Sequence, residues 1–189
     1  MLKVLIKEEE IHHIIKRLGK ELTELYKDSE LPPVFIGVLK GATMFMMDLI
    51  KEVDCPLQVD FVQYSSYEST QSSGIVYLKK DFEVDINGRD VVVVEDICDT
   101  GRTLQKFSEY LGTFSPKSVR FVCFLDKPGR REVEFNPDLI GLSIDNYFVI
   151  GYGFDYNEFY RNTKEVYAVN GDEDFLQEID KIVAKTSKR

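Results

Sequence analysis

The stretch VVVVEDICDTGRTL, residues 91–104, sets Glu95, Asp96 and Asp99 at the end of an apolar run and follows with Thr100, Gly101, Arg102 and Thr103. A glycine free to take positive φ, two threonine hydroxyls and successive backbone N–H groups at a helix start make a cradle for a phosphate. Glu95 and Asp96 beside that cradle would repel the phosphate unless they accept hydrogen bonds from sugar hydroxyls, face a divalent cation, or both. The ligand implied is a sugar phosphate with a free diol, carried with Mg²⁺. Neither GxxxxGK(S/T) nor GxGxxG occurs, so this is neither a Walker loop nor a dinucleotide fingerprint. Read blandly, the acids are solvated strand ends and helix caps, but the order strand, Glu-Asp, two residues, Asp-Thr-Gly-x-Thr meets many requirements at once.

The elements that must hold these residues follow from hydrophobic period. DVVVVEDI has no polar alternation, which predicts a strand buried on both faces of a largely parallel sheet. In an open α/β sheet ligands sit at the carboxyl ends of strands, which puts Glu95 and Asp96 at the mouth of the site. GRTLQKFSEYLGTF predicts a helix ending near Gly112, while VFIGVL (34–39) followed by KGATMFMMDLIKEV predicts a strand, a tight turn and a buried helix. LQVDFVQY and IVYLKKDF alternate as antiparallel strands around SSYESTQSSG, a connection of about ten residues, long enough to suspect a lid.

Further strands are expected at SVRFVCFLDK, LIGLSI and YFVIGYGFD. Ile11, Ile14, Ile15, Leu18, Leu22 and Leu25 recur at helical spacing between Glu8 and Asp28, an amphipathic helix lying on the core. His12 and His13 fall within it and point about 100° apart, so they suit surface positions better than a shared ligand. DEDFLQEIDKIVAK predicts a short C-terminal helix with Leu176, Ile179 and Val183 on one face. Strands alternating with helices give an α/β fold, a central mainly parallel twisted sheet flanked by helices, in one domain over 1–189.

Composition narrows the classes. The 189 residues carry a formal net charge of -9, which argues against a protein built to grip nucleic acid, since that needs a concentrated basic face. Cys55, Cys98 and Cys123 are odd in number and show no CxxC spacing, as expected of reduced thiols in a cytoplasmic protein. The apolar stretches fall short of the roughly 20 residues a membrane span needs.

Taken in order, GVLKGA, SSYESTQSSG, VVVVEDICDTGRTL, FLDKPGRR and YFVIGYGFDYNEFYRN resemble the type I phosphoribosyltransferases, and among them the hypoxanthine-guanine phosphoribosyltransferases of the 6-oxopurine branch. The resemblance covers nearly the whole chain. It implies a small hood built from terminal segments and a mobile hairpin loop at about 64–75. It implies that Glu95 and Asp96 hold the ribose hydroxyls, that Asp99 to Thr103 surround the 5′-phosphate, and that Asp99 accepts a proton at the purine. Lys40-Gly41 is similar to the family's pyrophosphate loop, which carries a non-proline cis peptide, and Ser66-Tyr67 to the pair that closes over the reaction centre.

Lys127 resembles the lysine that donates to the purine 6-oxo group, a role that would set it donor against donor with adenine's amino group. Arg131 would reach pyrophosphate. Phe148 resembles the aromatic stacked on the purine, with the Val149 backbone reading the base edge. Asp155 is similar to the acid near a second Mg²⁺ and Arg161 to a pyrophosphate contact. Glu95, Asp96 and Asp155 are thus the expected metal ligands, phosphoribosyl pyrophosphate (PRPP) and a 6-oxopurine the expected substrates, and a homodimer or homotetramer the expected assembly.

Three other readings compete. A xanthine-preferring or broad 6-oxopurine enzyme would share every residue named, since Lys127 does not decide what sits at C2. A nucleic-acid-binding regulator that senses a nucleotide with the same fold conflicts with the acidic balance. A diphosphokinase-like relative would lack Lys127 and Phe148. Arg102 lies at a position that varies in the family, and NTKEVYAVNGDEDFLQEIDKIVAKTSKR departs from the usual bacterial ending.

Overall fold

Val91 to Val94 are fully buried and alternate in direction: Val92 and Val94 pack in one apolar cluster, Val91 and Val93 in another. That two-sided burial is what the unbroken apolar run predicts for a central parallel strand. The computed structural model describes residues 3–64, 78–169 and 177. Ser66, Tyr67, the expected lid and nearly all of the expected C-terminal helix lie outside the described residues.

In chain order the elements are β1 Lys3–Ile6, α1 Glu8–Tyr26, β2 Val34–Leu39, α2 Thr43–Leu49, β3 Gln58–Tyr64, β4 Leu78–Lys80, β5 Asp90–Cys98, α3 Arg102–Gly112, β6 Ser118–Asp126, β7 Leu139–Ser143, β8 Val149–Ile150 and β9 Val166–Ala168, with 3-10 turns at Ile50–Glu52 and Pro128–Arg130. The main sheet runs β4-β3-β2-β5-β6-β7, parallel except for β4. A second, antiparallel sheet joins β1, β9 and β8.

Helices cover both faces of the main sheet. Ile11, Ile14, Ile15, Leu18 and Leu22 of α1 pack with Phe45 and Met46 of α2 against Val92, Val94 and Phe124. Leu104, Phe107 and Leu111 of α3 pack on the other face with Val91, Val93 and Cys123. Each such side chain stabilises the fold by roughly 1.5–3 kcal/mol. Leu25 departs from the expected stripe: it is 46% exposed, and the neighbouring Tyr26 takes the buried position.

The chain switches direction between β2 and β5, where β3 lies on one side and β6 with β7 on the other. Pairing of β2 to β5 stops at Gly37 and Val94, whereas β5 stays with β6 through Cys98 and Asp126. A cleft therefore opens where β2 and β5 diverge, at the carboxyl ends of the strands, as doubly wound sheets place their ligand sites.

Asp60 anchors the β3–β4 arm. Its carboxylate accepts from the backbone N–H groups of Phe61, Glu83 and Val84 at 2.7, 2.6 and 3.0 Å and faces the Lys80 ammonium at 3.4 Å. Burial opposes its charge, but those donors prevail and hold the carboxyl below its ordinary 3.8. A depressed carboxyl contributes stability that is present above its unfolded value and lost as pH falls through the folded one. Asp60→Asn is accordingly expected to cost about 2 kcal/mol at neutral pH. In urea unfolding, its deficit against the parent protein should shrink at pH values below 3.8; a deficit independent of pH would refute this role.

Candidate active site

Glu95, Asp96, Ile97, Cys98, Asp99, Thr100, Gly101, Thr103 and Leu104 line a pocket of about 180 Å³ at the end of β5. Gly101 has φ 81° and begins α3, the left-handed turn that a glycine was expected to supply. A Cβ there would press on Arg131, Val133 and Phe135. The turn aims the first N–H groups of α3 at the pocket, where an anion is favoured by both hydrogen bonding and the helix dipole.

The acids occupy the other half of the pocket. Glu95 is buried, and the Asp96 N–H donates to Glu95 Oε1 at 3.1 Å. Burial first, then the neighbouring Asp96 charge, pushes the Glu95 carboxyl well above the usual range, and burial also raises Asp96. The Ile97 N–H and the Arg161 charge favour the Asp96 carboxylate, but burial outweighs them. Hydroxyl donors of a diol and a hard, oxygen-seeking cation would both favour the charged pair further. Asp155 lies close enough to add to the Asp96 shift, but among the described residues no group of three His, Cys, Asp or Glu side chains converges on one metal position.

Across the cleft, β2 ends at Leu39 and is followed by Lys40 and Gly41; the peptide between Leu39 and Lys40 is cis, within the loop where the resemblance implied one. Gly41 is where a side chain cannot fit: a Cβ would lie 1.8 Å from Asp96 Oδ2. From the opposite side Gly153, at φ 100°, approaches so closely that its own Cβ would meet the Gly41 carbonyl oxygen at 2.2 Å. Two glycines thus bring the β2 loop, the β5 acids and the segment after β8 into contact.

Lys127 follows β6 and is buried rather than solvated; its N–H donates to the Cys98 carbonyl at 2.9 Å, and its ammonium stands 3.7 Å from Asp99 Oδ2. Asp99 also receives Arg130 Nε at 3.0 Å. Sequence reasoning passed over Arg130. The signal for it was Lys-Pro-Gly-Arg, whose 3-10 turn brings the fourth residue back over the start of the loop.

Arg131, expected at pyrophosphate, is committed elsewhere. It pairs with the Asp126 carboxylate and donates to the carbonyls of Cys98 and Asp99, so it holds the loop from beneath. Arg102 is absent from the pocket lining: its side chain meets Glu132 at 2.6 Å, and its backbone N–H lies 3.4 Å from Thr100 Oγ1.

β8 and the segments that flank it complete the site. Phe148 is 47% exposed and meets Tyr156 edge to face, with ring centroids 5.8 Å apart. Val149 is buried and registers with Ala168 of β9. Arg161 donates to the Gly153 carbonyl at 2.7 Å and pairs with Asp155 at 2.8 Å. Glu158 bridges Lys40 at 2.8 Å and Arg161 at 3.4 Å, a link that nothing in the sequence spacing suggested.

Residues 7–157 match the phosphoribosyl transferase domain, and the chain belongs to the phosphoribosyltransferase family. It is 48% identical over 161 residues to the hypoxanthine-guanine phosphoribosyltransferase of Bacillus subtilis, covering 85% of this chain and 88% of that relative. A crystal structure of a hypoxanthine phosphoribosyltransferase from Staphylococcus aureus matches with a TM-score of 0.83 at 42% identity, over 88% of this chain and 90% of the other. Within the family it therefore belongs with the hypoxanthine-guanine phosphoribosyltransferases. The bifunctional protein TilS/HprT of Listeria monocytogenes is 49% identical over 161 residues, which are 85% of this chain but only 24% of that protein; the chain spans about a quarter of that relative's length.

Proposed function

We propose that the protein transfers the 5-phosphoribosyl group of PRPP to hypoxanthine or guanine, releasing pyrophosphate and forming inosine or guanosine monophosphate. The observation that carries this reading is the division of one pocket between the adjacent carboxylates of Glu95 and Asp96 and a helix-start phosphate cradle, with the buried Lys127 facing Asp99 at its rim. The cradle takes the 5′-phosphate and Glu95 with Asp96 take the ribose hydroxyls, fixing the ring in line.

As the bond from ribose C1 to the pyrophosphate oxygen breaks, the sugar gains oxocarbenium character and its electrons leave with pyrophosphate. Lys40 and Arg161 face the charge that gathers there. The purine nitrogen forms the new bond to C1, and Asp99 accepts the proton that nitrogen loses. Lys127 donates to the 6-oxo group, and Phe148 offers its exposed face to the base.

Mg²⁺ bound beside Glu95 and Asp96, with a second ion near Asp155, would supply electrophilic neutralisation of the leaving group. The Glu95–Asp96 pair suits it, because Mg²⁺ is commonly held by one or two carboxylates together with substrate oxygens. The reading extends to a cytoplasmic enzyme working as a homodimer or homotetramer. Among the described residues no helix is long and apolar enough to cross a membrane.

The test is a spectrophotometric assay with PRPP, Mg²⁺ and each of hypoxanthine, guanine, xanthine and adenine. Conversion of hypoxanthine or guanine with rejection of adenine is expected. Conversion of none of the 6-oxopurines would overturn the proposal, and a preference for xanthine would move it to the neighbouring substrate.

A further inference from the structure

Glu158 sits in a segment with an unusual backbone. Asn157, Glu158 and Tyr160 have φ of 49°, 72° and 72°, three left-handed non-glycine residues within four positions. Such conformations persist where surrounding contacts over-determine them, and they gather at functional sites. Here the contacts are specific: the Glu158 N–H donates to Asp155 Oδ2 at 2.8 Å, and Tyr156 bridges to Phe159. The outcome of this winding is to carry one carboxylate across to a loop 118 residues away in sequence.

There a single oxygen, Glu158 Oε2, lies 2.8 Å from Lys40 Nζ and 3.4 Å from an Arg161 Nη. Those are the two cations assigned to pyrophosphate. Arg161 Nε is moreover buried without a hydrogen-bond partner, a donor left over for an incoming oxygen. The Glu158 carboxylate is 61% exposed, whereas Arg161 is 21% exposed, so the acid can swing into water while the arginine stays in place.

We infer that Glu158 is an internal stand-in for pyrophosphate, an anion that Lys40 and Arg161 hold in the free protein and exchange for the diphosphate of PRPP. This rests on the reading that Lys40 and Arg161 face the leaving group. A tethered monoanion keeps the exposed Lys40 in register with the held Arg161 between turnovers, and it competes with pyrophosphate for them after the reaction. The competition is weak by design, since an exposed ion pair is screened by water and salt. It therefore lowers the affinity for pyrophosphate without abolishing it, and favours release of the product.

The experiment measures inhibition by magnesium pyrophosphate against PRPP in the parent protein, in Glu158→Gln, in Lys40→Met and in the double variant. Glu158→Gln keeps the side-chain shape and removes the charge. It is expected to tighten pyrophosphate inhibition about two- to fivefold, the range that an exposed ion pair supplies. The gain should shrink in high salt and in the Lys40→Met background, where only the Arg161 contact remains, and binding of inosine monophosphate, which lacks the diphosphate, should not change. Unaltered or weaker inhibition in Glu158→Gln, with Lys40→Met weakening it, would overturn the stand-in and leave the pyrophosphate reading intact. Inhibition indifferent to Lys40→Met would overturn both.

Discussion

Asp99→Asn is expected to lower kcat by about a hundredfold or more while leaving the KM for PRPP within a few-fold of the parent value, because a positioned proton acceptor contributes roughly 10²–10⁴-fold. The carboxylate stands at the pocket rim between Lys127 Nζ at 3.7 Å and Arg130 Nε at 3.0 Å. An amide of the same shape keeps one oxygen for those donors and cannot take the proton of the attacking purine. The backbone at this position belongs to the phosphate cradle and is unaltered, so binding of the activated sugar should survive. Equal losses in kcat and in affinity for PRPP would show that Asp99 serves to bind, not to accept a proton.

Gly41→Ala should be as damaging for a different reason. Its Cβ would fall 1.8 Å from Asp96 Oδ2 and 2.6 Å from Asp96 Cγ. The loop has no room to retreat, since the Gly41 carbonyl is closed off from behind by Gly153. Asp96 must turn away, and a displacement near 1 Å at a positioning group can cost on the order of 10²-fold. We expect kcat/KM for PRPP to fall by about that factor, with the melting temperature changed by only a few degrees. Near-parent kinetics in a folded Gly41→Ala protein would mean that Asp96 does not position the sugar.

The elements set by local rules were legible in the sequence. VFIGVL is β2 residue for residue, and the helix expected to end near Gly112 is α3, because an unbroken apolar run and a 3.6-residue period each leave one structural solution. YFVIGYGFD was over-extended: only Val149 and Ile150 pair as a strand. Left-handed turns at Gly151, Tyr152 and Gly153 end it, and Tyr152 gives no composition cue for that conformation.

At the site, motifs fixed which backbone lines the pocket, since a glycine turn and a helix start are local. Side-chain direction was not legible. Of the adjacent arginines 130 and 131, the 3-10 turn sends the first to Asp99 and the second under the loop to Asp126. Glu158 could not be picked out from sequence, because its partner Lys40 is remote in the chain and is reached only through the turn at Asn157 and Glu158.

The most direct test of one pocket shared by acids and a phosphate cradle is a crystal structure with inosine 5′-monophosphate bound. The 5′-phosphate oxygens should lie about 3 Å from the backbone N–H groups of residues 100–103, and the ribose hydroxyls should donate to Glu95 and Asp96. A phosphate seated anywhere else, or a ribose that turns its diol away from these two carboxylates, would contradict the account.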